Sequence, residues 1–362
     1  MRLRHLATVV TFASIALIVA GCSAPPGASS TLVAAPQSTA TANGAAMAST
    51  LAFIKAGLPN LKGASIAYLA ECASQNAYCQ TRWTAAQKAA KDLGAKATLF
   101  DAGFDTAKQL SQTQDAIQRG FDGYVLAPVA DAPGCANFKL LQATGKPIVN
   151  INSPMCGNTD YTKGTVGFVG IQTQSFFRQH AENAFASCKG TCNALALGGS
   201  VGSDLFTRWD NAIKEAAAKY PNVHIVSQPS DFDPAKALSI TQDTLSSTPD
   251  LQMVLCGWDD ATRGVEQAIL AAGKKPGKDV RIYSAGASAA GVAKVIAGTW
   301  NETSIELPYE ESYYGFAELA KAMATGQSTP GFTDLAQSPV VVNGPGSIFV
   351  QANNAAKFTP EY

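Results

Sequence analysis

Short apolar runs alternate with longer amphipathic stretches between residues 65 and 307. That alternation predicts strand–helix–strand units built on a parallel sheet, an α/β fold. The runs predict strands over 65–69, 97–100, 123–127 and 147–151, with helices over 76–93, 106–119 and 135–144. From about residue 167 the scheme repeats, with strands over 194–197, 223–226, 253–256 and 281–284. A strand over 304–307 and a helix over 312–324 then predict a return to the first unit. Segments 340–342 and 348–350 read as strands that cross back. Three crossings make a hinge about which two lobes can close.

The repetition extends to residue identity. Phe104-Asp-Thr-Ala-Lys-Gln-Leu-Ser-Gln-Thr-Gln-Asp115 returns as Phe232-Asp-Pro-Ala-Lys-Ala-Leu-Ser-Ile-Thr-Gln-Asp243, with nine of twelve positions identical at an offset of 128. Arg82-Trp83, with Ala86, Lys88 and Ala90 behind it, returns as Arg208-Trp209 with Ala212, Lys214 and Ala216 at an offset of 126. Two similar, doubly wound parallel-sheet lobes joined by a three-strand hinge are therefore expected. Their interface is the natural ligand site. Asp105 and Asp233 open the echoed helices and serve as N-caps, which accounts for their recurrence.

The chain starts with Arg2 and Arg4, then an apolar run over 6–20 that is too short for a bilayer and suits a secretory signal. It ends in Val19-Ala20-Gly21-Cys22, which resembles a bacterial lipobox and implies cleavage before Cys22 and lipidation of its thiol. Two acyl chains, at about 0.8 kcal/mol per buried methylene, give a stable anchor. Residues 23–49 are uncharged and rich in Ala, Ser, Thr, Pro and Gly, and read as a flexible tether. The expected organisation is thus a signal peptide over 1–21 and the lipidated Cys22 with its tether over 22–49. Lobe one would take 62–166 with 308–338, and lobe two 167–307 with 339–362.

Composition narrows the function. Lys and Arg number 27, matched by 27 Asp and Glu, and no basic run occurs, so a nucleic-acid partner is not expected. Only three His are present, and His5 leaves with the signal; His180 falls in a predicted helix and His224 in a predicted strand. No His-based metal site, Ser-His-Asp triad or cofactor is expected. Seven cysteines follow Cys22, with no Cys-x-x-Cys, as suits an oxidising compartment. Cys72 and Cys79 flank the first strand–helix loop, Cys135 and Cys156 follow two successive strands, and Cys188 and Cys192 span a turn. These three pairs are the expected disulfides. Cys256 ends an apolar run and reads as an unpaired core residue. Tyr68, Phe121, Phe168 and Trp83 also read as core.

The carboxyl ends of parallel strands face the crevice. Residues placed there include Glu71, Gln75, Asn76 and Tyr78, then Asn152 and Ser153, in lobe one. Lobe two contributes Asp204, Phe206, Arg208 and Trp209, then Trp258 and Asp259, and Glu306 lies at the crossover. A polyhydroxylated ligand needs planar donors and acceptors at its edges and flat apolar surface against its C–H faces. Arg, Asn and Glu supply the first, and Tyr and Trp the second. Glu71 reads equally as a partner for Arg82, itself otherwise a solvated charge, and Asp260 as a helix cap.

Five segments together resemble the type I solute-binding proteins of sugar-uptake ABC transporters, close to the ribose/galactose-binding group. They are Gly63-Ala-Ser-Ile-Ala-Tyr-Leu with Ser74-Gln-Asn-Ala-Tyr78; Asp105-Thr-Ala-Lys-Gln-Leu; Gly120-Phe-Asp-Gly-Tyr-Val-Leu-Ala-Pro128 with Gly145-Lys-Pro-Ile-Val-Asn-Ile-Asn-Ser153; Arg208 opening a helix that ends Lys219-Tyr-Pro-Asn-Val; and Trp258-Asp-Asp260 with Gly264 a turn later. The resemblance covers roughly 62–350. It implies that Asn76, Tyr78 and Arg208 bind sugar, that Trp258 stands where the family often has Asn, and that Glu306 stands where it often has Gln. Asn152-Ser153 replaces a usual Asp-Arg, and Ser284-Ala-Gly286 a usual Gly-Phe-Asp, so a ligand other than ribose is implied: a pentose, a polyol or a furanose such as autoinducer-2. The implied partners are a permease and an ATPase on separate chains, since no phosphate-binding Gly-x-x-x-x-Gly-Lys-Ser/Thr loop occurs. A monomer, tied to the membrane by its anchor, is implied. Two other readings stand beside it: a sensor presenting solute to a membrane receptor, and a glycosidase using Glu71 and Glu306 as opposed carboxylates.

Overall fold

The computed structural model describes residues 38–362. Its strands are β1 Ser65–Ala70, β2 Lys96–Asp101, β3 Gly123–Leu126, β4 Ile148–Ile151, β5 Phe168–Gly170, β6 Cys192–Gly198, β7 Val223–Pro229, β8 Leu251–Cys256, β9 Arg281–Gly286, β10 Glu302–Ile305, β11 Phe332–Asp334 and β12 Phe349–Gln351. The helices are α1 Ser38–Ala56, α2 Ala77–Asp92, α3 Thr106–Arg119, α4 Asp131–Gln142, α5 Gln174–Ala186, α6 Asp204–Lys219, α7 Pro234–Ser247, α8 Asp259–Ala271, α9 Ala289–Ile296, α10 Pro308–Thr325 and α11 Pro339–Val342.

Two six-stranded sheets form, in the orders β11-β5-β4-β3-β1-β2 and β12-β10-β9-β8-β6-β7. The order is the same in both lobes once β1 is matched to β6. The one difference in direction is at the edge: β12 runs antiparallel to β10, whereas β11 is parallel to β5. Both sheets are buried on their two faces, so strands such as β3 and β8 are near-continuous in apolar residues. The echoed helices start alike. Asp105 accepts hydrogen bonds from Ala107 N and Lys108 N, and Asp233 from Ala235 N and Lys236 N. The α7–α8 contact depends on Gly264, because a Cβ there would overlap the Pro234 carbonyl.

Three segments correct the expectations. The boundary at 167 falls one strand early, since β5 pairs with β4 and β11 in the first sheet and the second lobe starts with α5. Only three residues long, β5 and β11 leave too little periodicity to read. Residues 340–342 are helical rather than extended: Ser338 caps Val340 N, and Pro339 at the first helical position needs no amide partner. The tether expected over 22–49 gives way from residue 38 to α1, which packs on β11 and α10. Met47 is buried, and Thr50 Oγ1 donates to Glu318 Oε1 at 2.8 Å. Alanine's high helix propensity, combined with this docking, outweighs the low-complexity composition. The signal, Cys22 and the rest of the expected tether lie outside the described residues.

The chain passes between lobes at 171–173, at Glu306-Leu307 and between α11 and β12, three crossings as expected. Disulfides join Cys72–Cys79, Cys135–Cys156 and Cys188–Cys192, with Cα separations of 5.5, 4.8 and 6.1 Å. Cys256 is free and buried, and burial pushes its thiol up to about 11, where it is inert. Tyr68, Phe121 and Phe168 are core, and Trp83 stacks on Tyr68. His180 is buried in α5, its Nδ1 2.7 Å from Ser304 Oγ. Burial lowers its pKa to about 4, so it stays neutral.

Candidate ligand-binding site

A cavity of about 590 Å³ opens between the lobes, lined by loops that follow the carboxyl ends of β1, β2, β3, β4, β5, β6, β7, β8 and β10. The segments after these strands deliver their side chains to the same space. The two walls already touch: Arg208 Nη2 donates to Ser153 Oγ at 3.0 Å, and the Asp131 amide donates to the Asp204 carboxylate. Another hollow, around Lys62, Asp122 and Lys146, lies at the opposite end of lobe one, where no second lobe faces it.

The wall from lobe one starts at the β1–α2 turn, closed by the Cys72–Cys79 disulfide. Asn76 is the N-cap of α2, its Oδ1 accepting from Cys79 N at 2.9 Å, and it lines the cavity. Tyr78 is buried on the next turn; its hydroxyl donates to Glu311 Oε2 at 3.1 Å and accepts from Asn152 Nδ2 at 3.0 Å. Asn152 holds a left-handed φ of 71°, which Asn tolerates better than most residues. That turn aims Ser153 across the cleft at Arg208. Loop closure over the seven-residue separation contributes about 2 kcal/mol by chain entropy. The double variant Cys72→Ser, Cys79→Ser should therefore unfold about 2 kcal/mol more easily in urea. It should also bind ligand several-fold more weakly, because Asn76 and Tyr78 lose their fixed turn.

Behind this wall lies a charged cluster. Arg82 is fully buried and forms ion pairs with Glu71 at 2.5 Å and Glu311 at 2.9 Å. It is therefore not a solvated charge, and Glu71 is its partner while still lining the cavity. Burial raises the Glu71 carboxyl, with Arg82 opposing. Burial likewise pushes Glu311 up to about 7 against the pull of Arg82.

The wall from lobe two carries Arg208 and Trp209 at the start of α6, capped by Ser203. Burial lowers the Arg208 pKa, while Asp204 and Asp131 pull it back. Trp209 packs edge-on to Phe177 and also lines the cavity. Trp258 follows β8 at the N-cap position of α8, stacks on Tyr362 at 6.2 Å and meets Tyr78 edge-on at 5.8 Å. Glu306 is buried at the second crossing and lines the floor.

Asp259 does not join them. Its carboxylate accepts from Ser284, Thr303 and both the amide and hydroxyl of Ser288, which fixes it between β9, β10 and α9. A carboxylate so fully satisfied has no capacity left for a ligand. Asp260 sits inside α8 rather than capping it, paired with Arg263 at 3.1 Å.

The cavity also uses residues not singled out from the sequence. Gln172 follows the short β5 and reaches Tyr78 Oη at 3.5 Å. Phe104 and Phe232 line opposite walls at left-handed φ of 65° and 56°. Their place in the echoed motif was the available signal. Glu311, from α10, gave none.

Among the described residues four buried atoms of cleft-lining residues have no hydrogen-bond partner: Glu71 Oε2, which the Arg82 ion pair compensates, and Arg208 Nε, Trp209 Nε1 and Glu306 Oε2, which nothing compensates. Leaving such groups unsatisfied costs about 1–3 kcal/mol each. Their convergence beside Tyr78, Trp258 and Phe232 is the pattern of a site shaped for a small polar ligand with apolar faces.

Residues 66–328 match the family described as periplasmic binding protein domain. The chain is 27% identical over 225 residues to the ribose import binding protein of Escherichia coli, covering 62% of this chain and 73% of that one. A solved Mycobacterium smegmatis structure in complex with β-D-fucofuranose is similar with a TM-score of 0.64 and 26% identity, over 74% of this chain and 87% of that one. A galactofuranose-binding protein structure shares the fold, with a TM-score of 0.70 at 19% identity, over 81% of this chain and 96% of that one.

Proposed function

The chain belongs to the periplasmic binding protein family, and from that premise we propose that it captures a sugar or polyol between its lobes and delivers it to the permease of an ABC importer. The observation that carries this reading is the set of unpartnered polar atoms at Arg208, Trp209 and Glu306 beside aromatic faces. A sugar hydroxyl satisfies such atoms, and its C–H face covers Tyr78 or Trp258. Asn76, Glu71, Asn152 and Ser153 complete the ligand contacts from lobe one. Capture works by population: solute favours the closed arrangement only by its higher affinity for it.

The protein is read as an extracytoplasmic, monomeric lipoprotein, held at the membrane through Cys22, with permease and ATPase on other chains. Among the described residues no helix is long and apolar enough to cross a membrane. No chemical step is assigned. Of the two carboxylates a glycosidase would use, Glu71 is engaged by Arg82.

The test is thermal unfolding of the protein against a panel of monosaccharides, amino sugars, polyols and amino acids. A ligand at a hundredfold its Kd adds about 2.7 kcal/mol of stability. A shift of several degrees with a sugar or polyol is expected. A shift with amino acids alone, or none across the panel, overturns the reading.

A further inference from the structure

We propose that the solute carries an amino group, as an amino sugar or aminocyclitol does, and that its ammonium sits against Glu306. This rests on the sugar or polyol reading above and deepens it.

The charge layout of the cleft floor points there. Three carboxylates, Glu71, Glu306 and Glu311, gather around one guanidinium, Arg82. Arg82 is committed to Glu71 and Glu311. Glu306 is 2% exposed, makes no ion pair among the described residues, and keeps Oε2 without any partner while lining the cavity. An uncompensated carboxylate in such a place is costly, and the group that best offsets it is a cation. Among the described residues no side chain is ion-paired to Glu306: Arg82 is committed elsewhere and the cavity's Arg208 bonds Ser153, so the ligand supplies the cation.

The alternative, a neutral hydroxyl against Glu306, fits less well. The resemblance places Gln at this position, and Gln offers both a donor and an acceptor to a sugar hydroxyl. Glutamate has nearly the same shape and, protonated, a similar hydrogen-bonding range, but beside an ammonium it ionises and forms a charged pair that Gln cannot make. The surroundings suit an ammonium as well. Tyr78, Trp258 and Phe232 present rings to the same cavity, and aromatic faces attract cations. Burial first, then Asp259 and Glu311, push the Glu306 carboxyl well above the usual carboxylate range, the state an ammonium would relieve.

The experiment titrates matched sets by calorimetry: galactose, galactosamine and N-acetylgalactosamine; the corresponding glucose set; and myo-inositol with an aminodeoxyinositol. The protein is used as wild type and as Glu306→Gln. In the best-fitting set the free amine should bind wild type at least tenfold more tightly than its neutral and N-acetyl counterparts. Glu306→Gln should abolish that preference. The N-acetyl comparison on wild type tests the charge without relying on the variant's folding. Neutral members binding as tightly as amines overturn the inference and leave the sugar reading standing. An amine preference that survives in Glu306→Gln overturns the assignment to Glu306. No binding by any member overturns both.

Discussion

Replacing Arg82 with alanine is expected to destabilise the protein by about 3–5 kcal/mol, the range for removing one partner of a buried ion pair. Arg82 is fully buried, with Glu71 on one side and Glu311 on the other. Without it, two carboxylates remain in the interior with no opposing charge. The loss should depend on pH, and the direction follows from the Glu311 carboxyl, raised to about 7 against a usual value of 4.5. A group whose folded pKa is raised contributes stability that is fully present below 4.5 and is lost as pH rises through 7. Removing Arg82 takes away the interaction that opposes this rise. The variant should therefore lie closest to wild type near pH 4.5 and furthest from it above pH 7. Urea unfolding at both pH values checks this. Combining Arg82→Ala with Glu71→Gln and Glu311→Gln should recover much of the loss. A deficit below about 1 kcal/mol at pH 8 would mean that the cluster carries little charge.

Arg208→Ala is expected to weaken ligand binding tenfold to a hundredfold while leaving the fold intact. Hydrogen bonds to a charged donor contribute about 1.5–3 kcal/mol, and roughly 1.4 kcal/mol corresponds to tenfold in affinity. Arg208 sits at the start of α6 with its Nε unpartnered, and its single side-chain bond runs to Ser153 on the other lobe. Losing it removes a bridge across the cleft and, on the proposed function, a ligand contact. Arg208→Lys should recover only part of the affinity, because an ammonium cannot reproduce the planar fork. Calorimetry measures the affinity, and an unchanged melting temperature of the free protein shows that the fold is retained.

The echoed pair Arg82-Trp83 and Arg208-Trp209 shows how far the sequence could be read. Identity at an offset of 126 correctly signalled two lobes of one topology, and hydrophobic period located most of the strands. It could not show that the two arginines do opposite things. Arg208 faces a cleft, whereas Arg82 is enclosed because Glu311 arrives from α10, 229 residues away. Local pattern carries no record of such a meeting. Asp259 misled for the same reason: its serine and threonine partners come from β9, β10 and α9. Loop chemistry was more legible. Cys72 with Cys79, and Asn152 with Ser153, are close in sequence, and the turns that hold them are set within a few residues. Elements of three residues, β5 and β11, fell below the length at which a period can be recognised. Gln172 and the true start of the second lobe were lost with them.

The most direct test is amide hydrogen exchange on the protein with and without its best-binding sugar or amino sugar. Slowed exchange is expected together at 72–79, 152–153, 203–209 and 257–258, the loops of both walls, with the hinge around Glu306 also protected. Protection confined to one lobe, or centred on the hollow near Lys62, Asp122 and Lys146, would contradict capture between the lobes.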